Sequence, residues 1–297
     1  MKRTYLLIVF LSFLYACNDG DVIVTTFNFD SANLETCGGP GEYVFFKINS
    51  ESAESISVQL GTTQTLFVET DTLTVALDGT SNFVNYRMFS DNITSSYFCN
   101  NIPPTSPQVQ IDYLASSGSA TLTTAATLAD DDGLDSDSEG TGDLDGDGLL
   151  NFYDQDDDGD NVPTADELDT ENLDGDNNPL TNPLDTDGDG IPNHLDDDDD
   201  GDGILTRNED ADSDLDPTND FGDIGTVPDY LNPNISVETI VNMYIEHTYS
   251  VNSDASLVLN NLILISGEEQ ITQETMDLGT ILGVLSTDII ITPDFVP

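Results

Sequence analysis

Residues 130–229 hold about 37 of the chain's 58 Asp+Glu, and all 297 residues together carry only 5 Lys+Arg, a formal net charge of -53. No other feature limits the fold so much. Neighbouring carboxylates repel by on the order of 1 kcal/mol per close pair even in water, so this segment cannot collapse as an apolar core does. It stays extended and solvated, or it closes around positive charge. The stretch "DLDGDGLLNFYD", residues 143–154, poses the choice most sharply, with carboxylates at alternate positions and glycines between them.

Spacing favours closure around a cation. In a twelve-residue calcium loop, oxygens come from positions 1, 3, 5, 9 and 12 and from the backbone carbonyl of position 7, with Gly at 6 for the sharp turn. The first loop fills these slots with Asp143, Asp145, Asp147, Leu149 (carbonyl), Asn151 and Asp154, and Gly148 stands at position 6. A second offers Asp156, Asp158, Asp160, Thr164 and Glu167, with Asn161 in place of the glycine. Asn tolerates a positive φ. A third offers Asp174, Asp176, Asn178, Asn182 and Asp185. The fourth has Asp185, Asp187, Asp189, Ile191 (carbonyl), Asn193 and Asp196; the fifth has Asp198, Asp200, Asp202, Ile204 (carbonyl), Thr206 and Glu209. Asp154 and Asp185 are placed to serve two neighbouring loops each.

The pattern is periodic. Asp143 to Asp185, Asp156 to Asp198 and Glu167 to Glu209 are each 42 residues apart, and repetition of ligand positions marks an array of units. "VPDYL" at 227–231 matches "IPNHL" at 191–195, but Phe221 and Gly225 replace the expected acids, so this copy is expected to cap the array without a full site. An acidic linker of biased composition would stay disordered, but bias does not set Gly at 6, Asn or Thr at 9 and an acid at 12 in step. Magnesium demands tighter octahedral geometry, and His194 is the only nitrogen donor of the region, a poor set for zinc or copper. Residues 143–233 resemble thrombospondin type 3 repeats, without the cysteines found between repeats in the animal family. The resemblance implies several bound Ca²⁺ ions, around which an irregular chain wraps in place of a hydrophobic core.

The first residues read as an export signal. Lys2 and Arg3 precede the apolar run "TYLLIVFLSFLY", too short for a spanning helix of about 20 residues. Leu14-Tyr15-Ala16-Cys17 resembles the lipobox of bacterial lipoproteins, with a bulkier residue than usual at Tyr15. The resemblance implies lipidation of Cys17 and an outer-membrane anchor, since each buried CH₂ contributes about 0.8 kcal/mol. Asn18-Asp19-Gly20-Asp21 is similar to the surface-export signal of Bacteroidota lipoproteins, implying display on the cell surface over the periplasmic face. With Cys17 lipidated, Cys37 and Cys99 remain, and an even pair in an exported chain is expected to form a disulfide. The strong negative charge makes nucleic acid a poor partner.

The acidic segment is flanked by β patterns. "ESISVQL" and "TLTVAL" alternate, and "EYVFFKI", "FVNYRMF", "QVQIDYL" and "ATLTTAATL" are β-branched or aromatic runs between turn residues. After the array, "VETIVNMYIEHTYSV", "SLVLNNLILIS" and "TILGVLSTDIIITP" read as strands, with "GEEQITQETMDLG" as turn and strand. The expected fold is mainly β: an antiparallel β-sandwich combined with an irregular calcium-wrapped repeat region. The expected domains are a signal peptide (1–16), a disulfide-bearing β-sandwich (17–130), the repeats (131–233) and a C-terminal β region (234–297). That last region either completes the first sandwich, the array being inserted into a surface loop, or builds a second one.

Catalysis finds no footing. The chain has no G-x-S-x-G, H-E-x-x-H or P-loop, and His247 reads as a strand residue. The expected function is a non-enzymatic, lipid-anchored, calcium-binding spacer or adhesion module of the cell envelope, its protein or glycan ligand unknown. A glycan-binding surface lipoprotein is the alternative, weakened by the lack of Trp and supported by 10 Tyr.

Overall fold

The structure is a computed structural model that describes residues 28–168, 175–176, 178–222 and 225–296. The export signal, Cys17 and Asp174 lie outside the described residues. Nine strands form one antiparallel, curled sheet: β1 (Glu35–Cys37), β2 (Tyr43–Asn49), β3 (Glu54–Leu60), β4 (Asp71–Ala76), β5 (Phe83–Phe89), β6 (Val109–Ala115), β7 (Ser119–Ala129), β8 (His247–Ser266) and β9 (Glu269–Ile291). The order is β1-β2-β3-β5-β6-β8-β7-β4, with β9 on β8. The mainly β, antiparallel expectation holds. The layers of the expected sandwich are parts of one continuous sheet, because β8 pairs with both β6 and β7.

Alternation sets the inner face. Ile56, Val58 and Leu60 of β3, Val84 and Tyr86 of β5, Leu122 of β7 and Leu257, Leu259, Leu262 and Leu264 of β8 share one buried cluster. At about 25 cal/mol per Å² of apolar surface removed from water, such a cluster dominates the folding of this part. The C-terminal strands complete the first core and do not build a second. Gly118 shows how tightly the β6–β7 turn sits on β8. Its φ is +111°, and a Cβ there would lie 2.6 Å from the Asn260 carbonyl oxygen.

Outside the sheet, a short helix, Ser96–Cys99, is bolted to β1 by the Cys37–Cys99 disulfide, with a Cα–Cα distance of 5.7 Å. Phe98 of this helix stacks on Phe46, ring centroids 4.5 Å apart, and Tyr97 packs edge-on against Phe89. The bridge thus holds an aromatic cover on the face of the sheet away from the main core.

One expected strand is partly absent. Residues 237–246 belong to no strand, and β8 starts at His247. These residues are a strap along the acidic array. The Thr239 and Val241 amides donate to the Asn208 carbonyl (2.7 Å) and Oδ1 (3.0 Å). Asn161 donates from Nδ2 to the Met243 carbonyl (3.1 Å) and accepts from the Ile245 amide (3.1 Å). Their alternation does signal an extended chain, but the loop residues Asn208 and Asn161, not a neighbouring strand, take its backbone bonds. The expected turn and strand at 267–279 are present: the chain turns at 267–268, and β9 then runs on to Ile291, paired with β8 across two register shifts.

Candidate metal centre

Four of the loops, and the eroded copy at 221–232, close by the same local bonds. The amide at position 9 donates to the carbonyl just before position 1: Asn151 to Gly142, Thr164 to Gln155, Asn193 to Leu184, Thr206 to Asp197 and Asp229 to Asp220, each at 2.9 Å. A helical turn begins at position 9 each time, at Asn151, Thr164, Asn193, Thr206 and Asp229. Side chains at 3 and 5, other than Asp158, accept amides two residues on, as when Asp145 accepts from Asp147 (3.1 Å) and Asp147 from Leu149 (2.7 Å). Positions 4 and 6 are left-handed: Gly146 and Gly148, Gly159 and Asn161, Gly188 and Gly190, Gly201 and Gly203. These bonds tie one oxygen of most acids at positions 3 and 5 to the backbone of their own loop.

The third loop departs from the pattern. Pro179 stands at position 6, where its ring holds φ near −65°. Asp176 and Asn178 still accept from Asn178 (2.8 Å) and Leu180 (3.1 Å), and this loop is exposed. The copy at 221–232 keeps the closing bond at Asp229 despite lacking Asp at 221 and 225.

Pairing of loops repeats with the 42-residue period. A Cβ on Gly159 would overlap Asp145 Oδ2, and one on Gly201 would overlap Asp187 Oδ2. Position 4 of the second loop therefore seats on position 3 of the first, and the fifth seats on the fourth in the same way.

Carboxylates converge in groups whose candidate ligand atoms lie within 4.8 Å of one another. Asp143, Asp145 and Asp147 form one group, Asp156, Asp158 and Asp160 a second, and Asp160, Glu167 and Asp199 a third. Both oxygens of Asp158, Glu167, Asp199 and Glu209, and Oδ2 of Asp145, Asp147, Asp160 and Asp200, are buried without a hydrogen-bond partner. Leaving a buried ionised group unpaired costs several kcal/mol. Burial first, and then neighbouring carboxylates, push Asp199 and Glu209 up to about 8 and raise Asp158, Asp160 and Glu167 well above the carboxylate range. An oxygen-only set of this kind fits a hard divalent cation. Asp185, Asp187 and Asp189 of the fourth loop make the same turns but are more exposed, and Asp196 and Asp198 have their acidity lowered first by burial.

Position 9 also serves the backbone of its own loop. Thr164 Oγ1 accepts the Asp157 amide (3.2 Å), Asn193 Oδ1 the Thr186 amide (2.9 Å) and Thr206 Oγ1 the Asp199 amide (3.2 Å). These side chains clasp position 2 of their own loop. Asn151 alone of these has a buried Oδ1 without a partner.

Two contributors lie outside the expected set. Asp199, at position 2 of the fifth loop, enters the group of the second loop. Asp157 and Asp199 are 42 residues apart, so the repeat itself carried the signal. His247 had none. It is buried at the start of β8, with Nδ1 2.6 Å from Asp154 Oδ1, and it groups with Asp147 and Asp154. Burial pulls its imidazole down, but Asp154, Asp156 and Asp147 outweigh that and hold it above its ordinary value. When protonated, it brings positive charge to the first loop.

The chain matches no protein-family model, no curated protein and no solved structure. Among the described residues no helix is long and apolar enough to cross a membrane.

Proposed function

We propose that the array binds a line of calcium ions and acts, without catalysis, as a stiff adhesion module, similar to thrombospondin type 3 repeats, on a lipoprotein anchored through Cys17 to the outer membrane and facing outward. The observation that carries the calcium reading is the buried, unpartnered oxygens of Asp158, Asp160, Glu167 and Asp199. Calcium would neutralise them and accept their flexible oxygen set, which magnesium's rigid octahedron does not.

Of the two roles expected for a stiffened segment, topology favours adhesion over spacing. The array leaves the sheet after β7 and returns at β8, whose ends pair at Ala129 and Ser250. An insert between adjacent strand ends adds no length between an N-terminal anchor and the sheet. It presents a surface.

Affinities of extracellular calcium modules run at about 10⁻⁴–10⁻³ M. Equilibrium dialysis of the mature chain should therefore reach at least three calcium ions per molecule at millimolar calcium. Fewer than three overturns the ladder. Replacement Cys17→Ser should release the protein from outer membranes and abolish palmitate incorporation; an unchanged membrane fraction with no label would overturn the anchor.

The glycan-binding alternative has one feature in its favour. An open cavity of about 520 Å³ at the end of β7 is lined by Thr70, Thr127, Leu128, Ser136, Asp137 and Phe152 among others. Such a lining suits a saccharide, with the ring as platform. Binding on a glycan array that Phe152→Ala removes would establish it.

A further inference from the structure

The segment just before the first loop carries the same trace. Residues 128–139, numbered as a loop, put Asp131 at position 4 and Gly133 at position 6, with φ +69° and +102°. The corresponding residues of the regular loops range from Gly201 at +68° to Gly148 at +101°. A left-handed Asp at position 4 is unusual, since a side chain is disfavoured there. Asp130, at position 3, accepts the amide of Asp132 (3.2 Å), and Asp132, at position 5, accepts that of Leu134 (2.8 Å). A helical turn, Ser136–Glu139, spans positions 9 to 12 and ends in an acid, as Thr164–Glu167 does in the second loop. Position 1 breaks the pattern, because it is Leu128 of β7, and position 4 carries Asp where the regular loops have Gly. That is why spacing alone does not reveal the loop.

Convergence and orphaned oxygens point to a ligand here. Asp130, Asp132 and Glu139 bring ligand atoms within 4.8 Å of one another. Asp130 Oδ2, Asp132 Oδ2 and both Glu139 oxygens are buried without a hydrogen-bond partner, and so is Asp157 Oδ1. Asp130, Asp132 and Asp157 are only 5%, 3% and 2% exposed. Asp157 belongs with them electrostatically. It lies near enough to Glu139, Asp132 and Asp130 to feel their charges. It stands at position 2 of the second loop, the place from which Asp199 enters the Asp160–Glu167 group.

We propose that Asp130, Asp132, Glu139 and Asp157 form a further calcium site, in which Asp157 from the second loop supplies the carboxylate that position 1 lacks. It rests on the same physical reading as the array, that buried oxygen clusters of this kind hold a hard cation. Its place is the joint between sheet and array. Ala129, the last residue of β7, pairs with Ser250 of β8. The next carbonyl, Asp130, accepts from Gln155 Nε2 (3.2 Å), and Gln155 Oε1 accepts the Thr248 amide (2.7 Å). An ion held by residues on both sides of this bracket locks the array's angle on the sheet.

The test is calcium stoichiometry of the mature chain by equilibrium dialysis, for the natural protein and for the near-isosteric variants Glu139→Gln, Asp157→Asn and both together. Each variant, and the pair, should lose the same single ion. Hydrogen exchange supplies the second readout: calcium should protect amides 130–139 in the natural chain and not in Glu139→Gln, with β2 and β3 protected in both. Unchanged stoichiometry in Glu139→Gln overturns the site and leaves the array standing, as does loss of two ions in the double variant. A natural chain that binds no calcium overturns both.

Discussion

Asn161 serves two purposes. Its φ of +72° meets the turn demanded at position 6, and its carboxamide grips Met243 and Ile245 of the strap. Asn161→Gly keeps the first and loses the second. Two hydrogen bonds contribute about 1 kcal/mol each, so local opening of the strap should become about thirtyfold easier. Hydrogen exchange at the Ile245 amide reads this directly, and an unchanged rate would show that the clamp contributes nothing. The acids give a pH dependence of definite sign. Asp145 and Asp156 are pushed up to about 7, and Asp199 and Glu209 to about 8, by burial before any other cause. With folded values above the unfolded ones near 4, their contribution is fully present below about pH 4 and is lost as pH rises through 7 to 8. In EDTA the array should therefore be compact near pH 4 and swell toward pH 8. In saturating calcium the trend reverses, because binding displaces protons. Small-angle scattering across pH in both media checks the reversal.

At the scale of elements, the sheet and its aromatic cover owe their stability to different causes. The core strands are held by apolar burial, whereas the helix Ser96–Cys99 has a single turn and no buried residue, too short to persist alone. Its bridge closes a separation of 62 residues, which in the chain-entropy model stabilises by about 4 kcal/mol. Guanidinium unfolding of Cys99→Ser in calcium should show a loss of that order, and a loss below about 1 kcal/mol would contradict it. Gly118→Ala tests the other cause. It meets a positive φ and the Asn260 carbonyl together, so it should destabilise by about 2 kcal/mol or more. A neutral result would mean that the β6–β7 turn can shift without disturbing β8.

For the whole molecule, the acidic array sits on a sheet held by an apolar core, and the proposed calcium dependence belongs to the array alone. The chain's few basic residues make that testable with trypsin. Lys47 and Arg87 lie in β2 and β5, and Arg207 lies in the array. Arg207 is held by the Phe295 ring, 5.4 Å from its guanidinium carbon, and by a 3.5 Å bond to the Gly159 carbonyl. In calcium all three sites should resist. In EDTA repulsion should open the array, and cleavage should occur at Arg207 while Lys47 and Arg87 stay protected by the apolar core. Equal cutting with and without calcium would show that the array needs no ion.

Much of this architecture is written locally. A loop's ligands, its left-handed positions and its closing bond all fall within about a dozen residues, so the spacing of Asp143, Asp145, Asp147 and Asp154 already describes the first loop. The disulfide was legible from the even pair of cysteines left once Cys17 is read as lipidated, and the strands from alternation. Tertiary structure alone decided the rest. Asp199 joins Asp160 and Glu167, His247 meets Asp154, and β8 binds β6 and β7 into one sheet. The contrast has one physical cause. Backbone hydrogen bonds inside a loop link near neighbours in the chain, and their geometry dictates residue type at fixed spacing. Contacts across tens of residues impose no spacing: alternation at 239, 241, 243 and 245 says that the strap is extended, and only the fold says that Asn208 and Asn161 are its partners.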